Sequence, residues 1–179
     1  MSIHHKAFAF DYDGFSGGLA PILRRALTDG ASAELVRFIE DNRDDVRDPD
    51  LLFPLSERWL DDVAPEDVQR LGDLALTAYY DPNLDIGLAQ DWQAVLNTVG
   101  REVDPEVDPL VFGEQFGPPG HEFDPGKRGS YFRSWETVHR QREELVRVMS
   151  GDFWSDTLIH LDNMLRPPDE ARRGLYVAM

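Results

Sequence analysis

Glycine and proline recur every few residues between positions 100 and 129, and this stretch constrains the fold more than any other feature of the chain. A helix interior tolerates neither residue well, because glycine carries a high entropic cost and proline lacks the backbone N–H. The stretch therefore predicts loops, with one short strand at 110–113. It separates two regions whose hydrophobic residues are regularly spaced.

Hydrophobic periodicity predicts the regular elements on either side of this stretch. Strands are expected at 6–12, around 130–132 and in the segment GLYVAM at 174–179. Helices are expected at 19–27, 32–42, 65–80, 88–99, 134–149 (with Ser134 as N-cap) and 154–165. Three glycines at 14, 17 and 18 should break the chain after the first strand, and Pro167 and Pro168 should end the last helix. The expected fold class is α+β, as a single compact domain over residues 1–179, predominantly helical with a small mixed sheet.

The net charge of the chain limits the classes of partner that it is expected to bind. The chain has 34 acidic and 18 basic residues, for a net charge of −16. Such a surface repels phosphate backbones and anionic membranes, so neither nucleic acid nor a membrane is the expected partner. The charge serves either solubility or docking of a basic protein. No cysteine, signal-peptide-like N-terminus or membrane-length apolar run is present, which predicts a soluble, cytoplasmic protein.

The first predicted strand ends in two carboxylates, Asp11 and Asp13. They resemble the opening motif of haloacid dehalogenase-type phosphatases, which implies Asp11 as nucleophile and Asp13 as general acid. Two such carboxylates could also hold Mg²⁺ together with water. The segment GDFWSD at 151–156 has the spacing of that family's late metal-binding motif, with Lys127 as its phosphate-binding lysine, although Phe15 stands where the family has Thr or Val. The alternative is a strand end followed by an aspartate-capped turn.

A second carboxylate pattern, Asp81, Asn83 and Asp85, has the spacing that begins a calcium loop. Ile86 occupies the sixth position, where such loops have glycine. The alternative is a turn between two helices, capped by Asp and Asn. No metal or cofactor is assigned to the chain from these patterns.

The segment HEFDPGKRGSYF at 121–132 concentrates polar side chains on a glycine-rich loop. Gly126 and Gly129 allow close backbone approach to a ligand or a positive φ. Lys127 and Arg128 form an adjacent basic pair in the long acidic middle of the chain, which predicts an anion-binding or substrate-orienting loop.

The loop and the two carboxylates of the first strand together give the candidate site residues. The candidate ligand-binding residues are Asp124, Lys127, Arg128, Ser130 and Tyr131, and the candidate catalytic residues are Asp11, Asp13, His121 and Tyr131. The alternative is a purely structural loop that Phe123, Tyr131 and Phe132 anchor to the core.

The second half of the chain resembles the YfbM-like family of uncharacterised bacterial proteins. The residues that carry the resemblance are LAQDWQAVLNTV (88–99), PLVFGEQFG (109–117), SYFRSWETVHRQREEL (130–145) and GLYVAM (174–179). The resemblance spans about half of the chain, from residue 88 to residue 179. The resemblance implies an α+β fold and a bacterial origin, and it assigns no catalytic residue.

Three functions remain open, and whether the protein is an enzyme is left undecided. The first is an acidic binding or interaction protein, of the immunity or regulatory type, with a basic protein partner. The second is a small-molecule enzyme or ligand binder that uses the loop at 121–131, with a small anionic ligand. The third is a Mg²⁺-dependent phosphatase built on Asp11 and Asp13.

Overall fold

The computed structural model describes residues 3–102, 111–150 and 156–179. In chain order its elements are β1 (Lys6–Phe10), α1 (Tyr12–Gly17), α2 (Leu19–Asp29), α3 (Ala33–Asp41), α4 (Val68–Leu76), α5 (Trp92–Glu102), β2 (Ser130–Arg133), α6 (Trp135–Met149), α7 (Asp156–Glu170) and β3 (Gly174–Ala178), with short 3-10 helices at Trp59–Asp61 and Thr77–Tyr79. The predicted α+β class is confirmed. None of the helices in these described ranges is long and apolar enough to cross a membrane.

The chain forms two compact units. Unit 1 comprises Met1–Tyr12, Asp85–Glu114 and Tyr131–Met179, and unit 2 comprises Asp13–Leu84 and Gln115–Ser130. Each unit is therefore assembled from separate stretches of sequence. The expectation of a single domain over 1–179 stays a prediction.

Unit 1 contains a three-stranded sheet with the order β1-β3-β2. β1 pairs with β3 in an antiparallel register that sets Phe8 opposite Tyr176, and the sheet is antiparallel rather than mixed. The Tyr176 ring lies 5.0 Å from Phe132 and 6.0 Å from Phe10, centroid to centroid. Aromatic pairs at these distances stabilise a sheet beyond the area that they bury.

Helices α5, α6 and α7 supply the other side of the unit 1 core. Its buried aliphatic residues include Val95, Val99, Val138, Leu145, Leu158, Leu161, Leu165, Leu175 and Val177. The start of α6 agrees with the sequence, since the Ser134 hydroxyl accepts the Thr137 backbone N–H at 3.3 Å. This N-cap satisfies one of the unpaired N–H groups at the helix start.

The expected end of α7 before Pro167 is wrong, because the helix continues through both prolines to Glu170. Tertiary contacts compensate for the missing N–H donors. Pro168 is buried, and the Asp169 carboxylate accepts from Arg142 at 2.9 Å and bonds to His139 at 2.8 Å. These contacts to α6 fix the last turn of α7.

Unit 2 packs α2, α3 and α4 around a second core. Its fully buried members include Phe15, Leu19, Leu23, Leu35, Ile39, Leu71, Leu74 and Phe123. The expected break at Gly14 and Gly17 is wrong, since both lie within α1, whereas Gly18 does separate α1 from α2. The buried Phe15 ring contacts the Phe116 and Tyr79 rings at 5.2 and 6.0 Å, and this burial outweighs the low helix propensity of glycine.

The expected strand at 110–113 is also wrong for the three of its residues that are described, which form a turn and bend. Residue 110 lies outside the described ranges. Gly113 has φ +128°, which interrupts an extended strand, and only a single bridge forms beyond it. In that bridge, Glu114 and Phe132 exchange backbone hydrogen bonds of 3.0 and 2.8 Å.

Candidate functional site

A glutamine side chain from α4 holds the loop at Gln115–Ser130 in unit 2. Gln69 donates from Nε2 to the Glu122 carbonyl at 2.9 Å and accepts the Asp124 N–H on Oε1 at 2.8 Å. Because a primary amide offers a donor and an acceptor, it pairs with the loop as a neighbouring strand would. Phe123, between the two bonds, is buried against Gly72, where a Cβ would lie only 2.8 Å from the Phe123 ring. The sequence predicts Phe123 as an anchor of the loop but does not predict its support by Gln69.

Asp124 shapes the tip of this loop. Its Oδ1 accepts the backbone N–H groups of Arg128 and Gly129 at 3.1 and 2.9 Å, and its carbonyl accepts that of Lys127 at 3.1 Å. Local bonds of this kind are the reason that Asp is favoured in turns. They hold Lys127 at φ +56°, a left-handed conformation that costs a non-glycine residue about 1–3 kcal/mol.

The same loop borders a cavity of about 510 Å³. This volume falls within the roughly 300–1,000 Å³ that is typical of small-molecule pockets. The lining residues are Ala26, Leu27, Gly30, Val68, Gln69, Gln115, Gly120, His121, Glu122, Asp124 and Lys127. All of them belong to unit 2, and they combine an apolar part from α2 and α4 with a polar part from the loop.

The cavity carries charges of both signs. Lys127 is the one lysine or arginine among its lining residues, and no described carboxylate forms an ion pair with its ammonium group. Glu122 and Asp124 supply negative charge. The Gly120 N–H donates to the Glu122 carboxylate at 2.9 Å and holds the pKa of that group below its usual range. The site therefore offers separate partners for an anionic and a cationic group.

The structure brings three of the predicted loop residues together, His121, Asp124 and Lys127, and places the others elsewhere. Arg128 is exposed at the loop tip, outside the lining, and Ser130 is buried. Tyr131 belongs to unit 1, where its ring lies 5.2 Å from that of Phe112. The loop thus divides into a cavity-lining part and a part that continues into β2.

Asp11 and Asp13 occupy different settings. Asp11 directly follows β1 in unit 1 and is half-buried, whereas Asp13 is exposed in the first turn of α1 in unit 2. Within the described ranges, no three His, Asp or Glu side chains are grouped so as to hold a metal ion. The second half of the proposed phosphatase pattern, residues 151–155, lies outside these ranges.

The predicted calcium-loop carboxylates cap turns. Asp81 Oδ1 accepts the backbone and side-chain N–H groups of Asn83, each at 2.9 Å, and these bonds lower the pKa of Asp81. In unit 1, Asp85 Oδ1 accepts the N–H groups of Ala7 and Gly87 at 3.1 and 2.8 Å. This arrangement corresponds to the capped turn that the sequence left open as the alternative.

A second notable feature of unit 2 is an exposed apolar turn, Leu51–Phe53. Leu51 and Phe53 are 65% and 70% exposed, and Leu52 has φ +65°. Asp48 organises the turn, since its Oδ1 accepts the Asp50 and Leu51 N–H groups at 2.8 and 2.9 Å, and its own N–H donates to the Phe53 carbonyl at 2.9 Å. The turn presents large apolar side chains on a fixed backbone.

Comparison with protein-family models, curated proteins and solved structures found none that matches the chain. The resemblance to the YfbM-like family accordingly stays a prediction.

Proposed function

We propose that this protein binds a small zwitterionic molecule in the unit 2 cavity, with Lys127 contacting its anionic group and Glu122 its cationic group. The observation that carries the proposal is the convergence of His121, Asp124 and Lys127 on one cavity of about 510 Å³. The apolar part of the lining, from Ala26 and Leu27, offers a surface for the ligand's hydrocarbon portion.

The backbone of Lys127 supports this assignment. A glycine would adopt φ +56° without strain, and glycine is common in this loop, with Gly126 and Gly129 close by. Strained residues concentrate where a side chain is needed for a function. We therefore assign the ammonium group of Lys127 a role in binding.

The proposal is limited to binding, because it rests on the charges and the apolar part of the cavity lining. We also propose a cytoplasmic location, in keeping with a chain that contains no cysteine.

Replacing Lys127 with glycine is expected to weaken ligand binding and to stabilise the fold at the same time. Loss of a charged hydrogen bond costs about 1.5–3 kcal/mol, which corresponds to a roughly ten- to hundredfold higher Kd. Relief of the left-handed strain, less the added entropy of glycine in the unfolded chain, should raise the free energy of unfolding by roughly 0.5–1 kcal/mol. Isothermal titration with a panel of amino acids, dicarboxylates and diamines, together with urea unfolding, measures both effects.

Arg128→Met is the matched control, since this adjacent cation lies outside the cavity lining. It should bind the panel ligand as the wild type does. The proposal is wrong if no zwitterion in the panel binds the wild-type protein, or if Lys127→Gly binds it with unchanged affinity.

A second candidate function, docking of a basic protein, is favoured by the Leu51–Phe53 turn. Residues 44–62 contain seven acidic and two basic residues around these exposed apolar side chains. A partner with an apolar pocket bordered by Lys or Arg would complement both features. The acidic border disfavours an anionic lipid surface.

Phe53→Ser is expected to abolish capture of a basic partner, because interface energy concentrates in a few large apolar side chains. Leu84→Ser is the control, since Leu84 is 64% exposed in the same unit but lies outside the turn. Affinity capture followed by mass spectrometry should identify a protein with pI above about 9 that wild type and Leu84→Ser retain and Phe53→Ser loses. Equal recovery by all three proteins, or binding to anionic vesicles instead, would contradict this function.

A further inference from the structure

A smaller cavity, of about 140 Å³, lies within unit 1 at the N-terminus of α6. Its lining residues are Tyr12, Gly113, Glu114, Phe132, Arg133, Ser134, Thr137 and Gln141. A water molecule has a share of liquid volume of roughly 30 Å³, so the cavity has room for a small polar group. It shares no lining residue with the unit 2 cavity.

Arg133 is the unusual member of this lining, because its side chain is buried in β2 and the residue is only 3% exposed. Its Nε and Nη2 donate to the Phe112 carbonyl at 3.1 and 2.9 Å, and its Nη1 donates to Gln141 Oε1 at 3.0 Å. A guanidinium group has five N–H bonds. The three hydrogen bonds use three of these N–H bonds, so one N–H bond remains on Nη1 and one on Nη2.

The buried guanidinium has neutral partners only. In the described ranges, no carboxylate forms an ion pair with Arg133. Burial lowers the pKa of Arg133 to about 9, so the group is still charged at neutral pH. Burying a charge without a counter-ion is costly, and buried arginines are normally paired.

The start of α6 also lies at this cavity, and the Glu136 carboxylate offsets part of its positive potential by bonding to the Glu136 N–H and the Ser134 hydroxyl. The helix has 15 residues, and its first turn contributes two of the lining residues, the N-cap Ser134 and Thr137. The N-terminus of a helix of this length carries about half a positive charge. Glu114 also lines the cavity, and its exposed carboxylate disfavours a multiply charged anion.

We propose that this cavity is a binding site for a carboxylate group, held by the two remaining N–H bonds of Arg133 at the N-terminus of α6. A carboxylate supplies the missing counter-ion, and its two oxygens match two N–H donors on a guanidinium. Its single charge suits a cavity that Glu114 also lines. The site is independent of the ligand proposed for unit 2.

The test replaces Gln141 with glutamate, which places a carboxylate of the same shape on Arg133 and removes the need for an external one. Gln90→Glu, at an exposed position in unit 1, adds the same charge away from Arg133. NMR titration with sodium acetate, against sodium chloride and sodium phosphate at matched ionic strength, follows the Arg133 Nε–H resonance. Thermal unfolding in chloride buffer gives the Tm of each protein.

The wild type and Gln90→Glu should show a saturable acetate-dependent shift, with phosphate binding more weakly. Gln141→Glu should bind acetate at least tenfold more weakly and should have a higher Tm than Gln90→Glu in chloride buffer. The inference is overturned by any of three results: no saturable acetate shift in the wild type, tighter binding of phosphate than of acetate, or unchanged acetate affinity in Gln141→Glu.

Discussion

A Gly174→Ala variant is expected to lose about 3 kcal/mol or more of folding stability. Gly174 begins β3, and a Cβ built there lies 2.2 Å from the Arg133 carbonyl oxygen and 2.8 Å from the Tyr12 Cβ. Neither atom belongs to the flexible end of a side chain, so the sheet itself would have to move. Overpacking of a core commonly costs about 1–3 kcal/mol, and a clash with backbone lies at or above the upper end of that range. Against a total of about 5–15 kcal/mol, this loss is large.

Gly17→Ala makes the same chemical change at a position that has room for it. No atom lies within 4 Å of a Cβ built at Gly17, which is the last residue of α1. This variant should unfold within about 1 kcal/mol of the wild type. Urea unfolding followed by circular dichroism compares the two, and equal midpoints would show that β3 can shift to accept the methyl group.

The second large effect concerns the pH dependence of stability in unit 2. Arg70 contacts three carboxylates, with its guanidinium nitrogens 2.8 Å from Asp48, 3.0 Å from Asp50 and 3.3 Å from Asp73. One cation cannot neutralise three anions. Burial raises the pKa of Asp73 to about 7, and the charges of Asp50 and Asp48 add to this rise while Arg70 opposes it. The pKa of Asp48 is instead lowered, because its bonds from Leu51, Asp50 and Arg70 outweigh its burial.

A raised pKa means that the folded protein keeps a proton that the unfolded chain releases. The contribution of Asp73 to stability is therefore fully present below about pH 4 and is lost as the pH rises to about 7. At about 1.4 kcal/mol for each pH unit, the loss is on the order of 4 kcal/mol. The Asp73→Asn variant has an uncharged side chain at position 73 at every pH. Its free energy of unfolding relative to the wild type should therefore rise by on the order of 4 kcal/mol between pH 4 and pH 8.

Asp61→Asn removes one negative charge at an exposed site outside this cluster and serves as the control. Urea unfolding at pH 4, 5, 6, 7 and 8 should give parallel pH profiles for the control and the wild type, and a flatter decline for Asp73→Asn. If all three profiles are parallel, Asp73 is ionised in the folded protein throughout this pH range.

Local sequence signals predicted much of the secondary structure. The N-cap at Ser134, the helix at Trp135–Met149 and the strand at Gly174–Ala178 follow from capping and hydrophobic spacing, and they are confirmed. In two of the misassigned elements, tertiary contacts override local propensity. Burial of Phe15 sustains α1 despite its glycines, and the contacts of Asp169 hold α7 together beyond its prolines.

The candidate sites likewise contain some residues that the sequence identifies and others that only the tertiary structure reveals. Composition alone selected His121, Asp124 and Lys127, because polar side chains on a glycine-rich loop stand out in the sequence. Gln69 and Arg133 could not be selected in this way. An arginine at the end of a short strand reads as solvent-facing, and only the packing of β2 against α6 shows that it is buried.

The position of β3 at the centre of the sheet also sets the order of events during synthesis on a ribosome. In the described sheet β1 pairs with β3 alone, and Phe10 meets Gly174. At roughly 5–20 residues per second, β1 leaves the ribosome on the order of ten seconds before its partner is made. During that interval β1 has no strand partner, whereas all the segments of unit 2 have been translated once residue 130 is made. Unit 1 can therefore complete its sheet only after almost the whole chain has been translated.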